Sequence, residues 1–96
     1  MIKAERPFPF FEWDEAKRQT NFQKHGIDFP DAAKALKSPH IEVETQRNGE
    51  IRTLAICPEQ QRLIAVVYTM RGEVCRIISA RTASEHEQRA YRQIFG

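Results

Sequence analysis

The spacing of apolar residues changes at Pro39, and this change constrains the fold more than any other feature of the chain. Before it, Phe29, Ala32, Ala33 and Leu36 recur at intervals of three and four, a single stripe on a helix. After it the period falls to two. The runs 41–46, 51–57, 63–70 and 74–80 are rich in Ile and Val, and turn signals separate them. Asn48-Gly49 is the strongest of these, because both residues tolerate the positive φ that a tight hairpin demands. The stretch 58–61 and Arg71-Gly72 supply the other two. The pattern predicts a four-stranded antiparallel meander.

Helices flank it. Asp14 suits the N-cap of a helix over 15–25, which carries Lys24 and His25 in its last turn and Gly26 just beyond. Its apolar face is weak, mainly Ala16 and Phe22. Asp28 caps the second helix, Pro30 fits its first turn, and Ser38-Pro39 stops it. After the strands, Ser84 with Glu87 reads as a capping box, as does Thr82 with Glu85. Ala90 and Ile94, with Tyr91 and Phe95, give the final helix an apolar side. Residues 1–9, with Pro7 and Pro9, read as an extended arm, and 10–13 as a short strand. The 96 residues therefore form one α+β domain: N-terminal helices, a meander and a C-terminal helix.

The shortest loops set an expected register. They pair Arg47 with Glu50, Cys57 with Arg62, and Met70 with Glu73. One face then carries three rows: Ile41, Ile56, Leu63 and Ala80; Val43, Leu54, Ala65 and Ile78; and Thr45, Arg52, Val67 and Arg76. Two rows are wholly apolar, which supports the register, since a one-residue slip would send a strand's side chains to the other face. The third row sets Arg52 and Arg76 two strands apart, roughly 10 Å between backbones. Side chains of that length can converge on one phosphate. They can equally lie along the sheet and pair with glutamates.

The formal net charge is only +2. Every lysine precedes residue 40, however, and all eight basic residues of 47–96 are arginines. Guanidinium is planar, permanently charged and able to grip phosphate or carboxylate through two parallel bonds. A genome that favours arginine codons accounts for the same bias. No apolar run approaches a membrane span or a secretory signal. A soluble cytoplasmic protein with Cys57 and Cys75 as free thiols is expected.

No HExxH, glycine-rich loop or paired-cysteine pattern is present, so neither metal nor cofactor is expected. Catalysis would fall to arginine, lysine, histidine, tyrosine and carboxylates. His25 is either a cation favoured by the helix dipole or, with Lys24, a proton donor or phosphate ligand. Tyr91 is most simply a core residue whose hydroxyl can reach a site. His40 looks incidental and His86 looks exposed. RNA suits such a set because it carries its own nucleophile. The ribose 2′-hydroxyl attacks phosphorus, cations stabilise the added charge, and an acid protonates the leaving 5′-oxygen.

Phe11-Glu12-Trp13-Asp14, Ala16-Lys17, Asn21 and Lys24-His25-Gly26-Ile27 with Phe29 and Ala32 resemble the N-terminal half of BrnT-type toxins. Arg52, Val66-Val67-Tyr68-Thr69, Arg76-Ile77-Ile78-Ser79-Ala80-Arg81, Ala83, Glu87, Arg89 and Tyr91 resemble the C-terminal half. The chain departs from the family pattern at Ile56-Cys57, where Ile-Gly is usual, and at His86, often a basic residue. The stretch before Phe10 is extra. The resemblance implies a fold similar to RelE-type toxins and an endoribonuclease that halts translation. It also implies a BrnA-like antitoxin with a DNA-binding region, and repression of their operon by the complex. On this reading Arg52, Arg76 and Arg81 bind phosphate, Lys24 and His25 assist there or transfer protons, and Tyr91 is a further candidate. The product would be a 2′,3′-cyclic phosphate. Two alternatives are a degenerate toxin that only holds its antitoxin, and a freestanding RNA-binding domain. The latter finds no aromatic stacking motif of the RRM kind to support it.

Overall fold

The computed structural model describes residues 1–96. The elements run β1 (Ile2–Ala4), β2 (Phe10–Glu12), α1 (Glu15–His25), α2 (Phe29–Leu36), β3 (His40–Arg47), β4 (Glu50–Glu59), β5 (Arg62–Arg71), β6 (Val74–Thr82) and α3 (Glu85–Phe95). The expected meander is present as β3 to β6, but the sheet has six strands, in the order β1-β3-β4-β5-β6-β2. The arm is not merely extended. β1 pairs antiparallel with β3, β2 pairs parallel with β6, and the residues between them cross from one sheet edge to the other.

The caps follow the sequence. Asp14 accepts from the Lys17 N–H at 3.0 Å, and Gly26 takes the left-handed conformation at φ 70°. Asp28 caps α2, and Ser84 with Glu87 completes a capping box on α3. Thr82 ends β6 instead of capping a helix.

Two apolar clusters sandwich the sheet. On one face, Phe29, Ala32, Ala33, Ala35 and Leu36 of α2 and Phe8 of the arm meet Ala55, Cys57, Ile64, Val66, Tyr68, Cys75, Ile77 and Ala80. Full burial of Phe29 and Leu36 is worth about 1.5 to 3 kcal/mol each. On the other face, Ile41, Ile56, Ala65 and Ala83 pack against Ala90, Tyr91 and Phe95 of α3. No residue of α3 is itself buried, so that helix rests lightly on the sheet.

The register differs from the expected one in two places. The loop after β4 tightens to Gln60-Gln61, with Gln60 at φ 57°, so that Glu59 pairs with Arg62. The next turn takes Gly72 and Glu73, so that Arg71 pairs with Val74. Each shift is an even number of residues, so the faces hold. A bulge opposite Val67 and Tyr68 then flips the end of β6, because Tyr68 meets Ile77 while Val67 meets Ser79. Ala80 therefore lies in the α2-side core, and Ser79 and Arg81 lie on the α3 side. The α2 face holds the larger core.

The expected apolar anchor of α1 is also corrected. Phe22 is 51% exposed, and the one buried residue of α1 is Asn21. Its amide donates to the Ala80 and Ile27 carbonyls at 2.9 and 3.1 Å, and its carbonyl accepts from the Ala80 N–H at 3.1 Å.

Candidate active site

Arg52 and Arg76 share a face and a row. Thr45 pairs with Arg52 and Thr69 with Arg76, and continuing the β4–β5 register one residue past Thr53 and Tyr68 sets Arg52 beside Thr69. The intervening residue is Thr69, not the expected Val67. The Thr69 hydroxyl donates to the Ile51 carbonyl at 2.8 Å and ties the two strands together where their backbone ladder stops. Neither arginine is buried. Arg52 Nε reaches Glu50 at 3.3 Å, and Arg76 reaches Glu12 at 3.2 Å. Both arginines thus have glutamate partners, each through one long contact near solvent. Such pairs contribute about 0 to 1 kcal/mol, so an incoming phosphate displaces them at little cost.

Arg81 is on the same face but differently engaged. The neighbour of Arg81 across β5 is Ala65, four residues from Thr69, which sets it roughly 13 Å along the strand from the Arg52 and Arg76 row. Its guanidinium grips both oxygens of Glu87, at 2.8 and 2.9 Å. The bonds from Arg81, with further help from the Ser84 N–H, hold the Glu87 carboxyl down at about 2. Because Glu87 also closes the capping box, this pair fastens the start of α3 to β6.

Lys24 and His25 flank the bulge of β6. With Lys17, Thr20 and Asn21 they face Ile78 and Ser79 around a shallow groove of about 220 Å³. Lys24 is exposed and His25 half-buried. The three Asn21 bonds hold this end of α1 against β6.

Tyr91 stands apart. It stacks on Phe95 at 4.7 Å and lines a concavity of about 490 Å³ with Arg62, Thr82 and Arg92. Leu63, in the same concavity, is six residues along β5 from Thr69, or roughly 20 Å. Burial raises the Tyr91 phenol above its ordinary range. The register sets Arg52 and Arg76 in one row, with Lys24 and His25 at the bulge of β6 and Tyr91 at the other end of the sheet.

One polar cluster lies outside the sequence-based candidates. Glu42 is 2% exposed, and its carboxylate accepts from Arg6, from His40 Nε2 at 2.9 Å and from the Tyr68 hydroxyl at 2.9 Å. His40 Nδ1 lies 2.9 Å from the Ser38 carbonyl, so the ring bridges that carbonyl and Glu42. Burial works to raise the Glu42 carboxyl, but the three donors prevail and hold it low. Burial and the neighbouring Glu42 charge push the Tyr68 phenol up. His40, incidental by its place in the sequence, is a buried link in this cluster. Its signal was His40 and Glu42 alternating with Ile41 and Val43 in a strand whose polar positions turn inward.

A search of curated proteins gives no significant match. A family model described as the ribonuclease toxin, BrnT, of type II toxin–antitoxin systems matches residues 13–87. That span takes in α1, α2, the whole of β3 to β6 and the first turn of α3, with Lys24, His25, Arg52, Arg76 and Arg81 inside it and Tyr91 outside. A match over most of the chain, on the elements that assemble the cationic face, establishes that the protein belongs to the BrnT family of ribonuclease toxins.

Proposed function

We propose that the chain is a metal-independent endoribonuclease that cuts RNA on the α3-side face of its sheet. The observation that carries this reading is the juxtaposition of Arg52 and Arg76 across Thr69, on a face that α3 leaves uncovered at that end. The two guanidiniums bind the scissile phosphate and stabilise the charge that develops on it. The 2′-hydroxyl attacks phosphorus, the bond to the 5′-oxygen breaks, and a 2′,3′-cyclic phosphate forms. His25 transfers a proton in this step, and Lys24 adds positive charge beside it. Arg81 acts through Glu87 by fixing α3 against β6.

Membership of a type II toxin–antitoxin family supports the rest of the proposal. A BrnA-like antitoxin neutralises the toxin, and the complex binds operator DNA through the antitoxin and represses its own operon. Cleavage of RNA in the cytoplasm halts translation. RNA cleavage by the purified protein in EDTA, with the product ends identified, tests the mechanism. Cyclic phosphate formed at an undiminished rate is expected. Activity that vanishes in EDTA and returns with magnesium overturns it.

A further inference from the structure

Beyond Arg52 and Arg76 the side chains continue to alternate to the end of the sheet. Arg47, opposite Glu50, is two residues from Thr45, and Arg71, opposite Val74, is two residues from Thr69. Four arginines of two adjacent rows therefore share one face. The edge strand β2 adds Phe10, opposite Val74, and Glu12, opposite Arg76. Phe11 between them turns the other way, into the core, 5.5 Å from the Phe8 ring. Glu12 bonds to Arg76, which fixes the side on which β2 presents Phe10. The Phe10 side chain is left 57% exposed. Its Cα lies one strand across and two residues along from that of Arg76, roughly 8 Å away.

We infer that Phe10 is a stacking platform for one base of a single-stranded RNA whose phosphates run over Arg47, Arg52, Arg71 and Arg76. The inference rests on the ribonuclease reading of this face and assigns it a substrate class. An aromatic ring beside a cationic track is what an unpaired strand offers partners for, since its bases expose their flat faces while its phosphates carry the charge. A duplex keeps those faces stacked on one another and gains nothing from the ring. Folding gains little from a phenylalanine left in water at a sheet edge, whereas a base laid on it removes that apolar surface from solvent. Phe10 precedes the family-matched span, so the platform belongs to the N-terminal arm of this chain.

The test is binding of a fully 2′-O-methylated single-stranded RNA, which cannot be cleaved through its 2′-oxygen, to wild type, Phe10→Ala and Phe10→Trp. Thermal melts verify that the variants are folded. Phe10→Ala is expected to weaken binding by about tenfold or more, and Phe10→Trp to restore it. Replacing one base by an abasic linker should weaken binding to wild type at one position of the strand and leave Phe10→Ala insensitive there. Wild-type affinity of Phe10→Ala overturns the inference, as does equal preference of wild type for duplex. Unchanged RNA binding with weakened capture of the antitoxin overturns it too, and assigns the ring to the protein partner. These outcomes are distinct from failure of the ribonuclease reading, which would appear as wild type leaving unmodified RNA intact.

Discussion

Asn21 on α1 treats Ala80 on β6 as a neighbouring strand would, donating to its carbonyl at 2.9 Å and accepting from its N–H at 3.1 Å. β2 pairs with β6 only from Val74 to Arg76, so the backbone of Ala80, paired with β5 on one side, has no strand on the other. A side-chain amide takes the place of the missing strand. The same contact anchors the helix that carries Lys24 and His25.

Asn21→Ala leaves the Ala80 N–H and two carbonyls buried without partners. A loss of about 2 to 4 kcal/mol is expected, which lowers the melting temperature by roughly 10 to 20 °C for a chain of this size. Asn21→Asp keeps the acceptor but sets a carboxylate oxygen against two carbonyl oxygens, so at neutral pH it should lose at least as much. A melt within a degree or two of wild type for Asn21→Ala would show that the contact is not made in solution.

Arg76→Ala is expected to abolish toxicity while the fold persists, with Arg52→Ala similar or milder. Removing a charge-assisted contact to the phosphate should slow cleavage on the order of a hundredfold or more. The fold should persist because each arginine gives up only one long, half-exposed contact to glutamate. Equal toxicity of the double variant and wild type at matched expression rules the pair out.

His25→Lys separates a helix end from a proton carrier. Lysine satisfies the dipole of α1 as well as histidine does, so the melting temperature should not move. A lysine of ordinary pKa, near 10, stays charged and cannot accept a proton at neutral pH, so most of the activity should disappear. A stable variant with undiminished RNA cleavage would reduce His25 to a cap.

The Arg81 and Glu87 pair predicts acid sensitivity of known sign. The Glu87 carboxyl is held at about 2 against an ordinary 4.5. A depressed folded value gives stability that is complete above the ordinary value and is lost as pH falls from there towards 2. With Arg81 partly open to water, the contribution is about 1 to 2 kcal/mol. In urea titrations Glu87→Gln should be less stable than wild type at pH 7, and the gap should narrow between pH 4.5 and 2. A gap that ignores pH would contradict the assignment.

Glu42→Ala removes the shared acceptor of Arg6, His40 and Tyr68 and strands two buried donors. About 3 to 5 kcal/mol is at stake. Arg6→Ala should cost less, since the half-exposed arginine is the one member of the cluster that water reaches. Denaturant midpoints for the two variants give the order, and the reverse order would place the anchor of the cluster elsewhere.

Much of this architecture was legible. The helix limits at His25 and Leu36 came from Gly26 and from Ser38-Pro39, residues whose backbone chemistry allows little else. The juxtaposition of Arg52 and Arg76 was also legible, though through two compensating errors. Both turns proved to use other residues than the shortest-loop rule assigned, and each moved the partner on β5 from Val67 to Thr69. The bulge at Val67 and Tyr68 left no mark in the apolar pattern, because Ile77, Ile78 and Ala80 are acceptable on either face. The short strand read at 10–13 is present as β2, but the sequence could not show that it pairs with β6, nor that the arm supplies β1. Three residues, as in β1, carry too short a pattern to read, and Arg6, Phe8 and Glu42 meet only through the folded sheet. Asn21 was hidden by the expectation that a helix docks through apolar residues.

The crossing of the arm has a consequence for the order of events during synthesis. Glu12 leaves the ribosome long before Arg76, its partner 64 residues later, so β2 has nothing to pair with until the last strand has emerged. Until then β2 cannot close that edge of the sheet. An unfinished chain would present the unguarded strand edges on which aggregation starts. The surface formed by Phe10, Glu12 and Arg76 is therefore among the last parts of the molecule to come into being, and the toxin is built so that only a nearly complete chain can possess it.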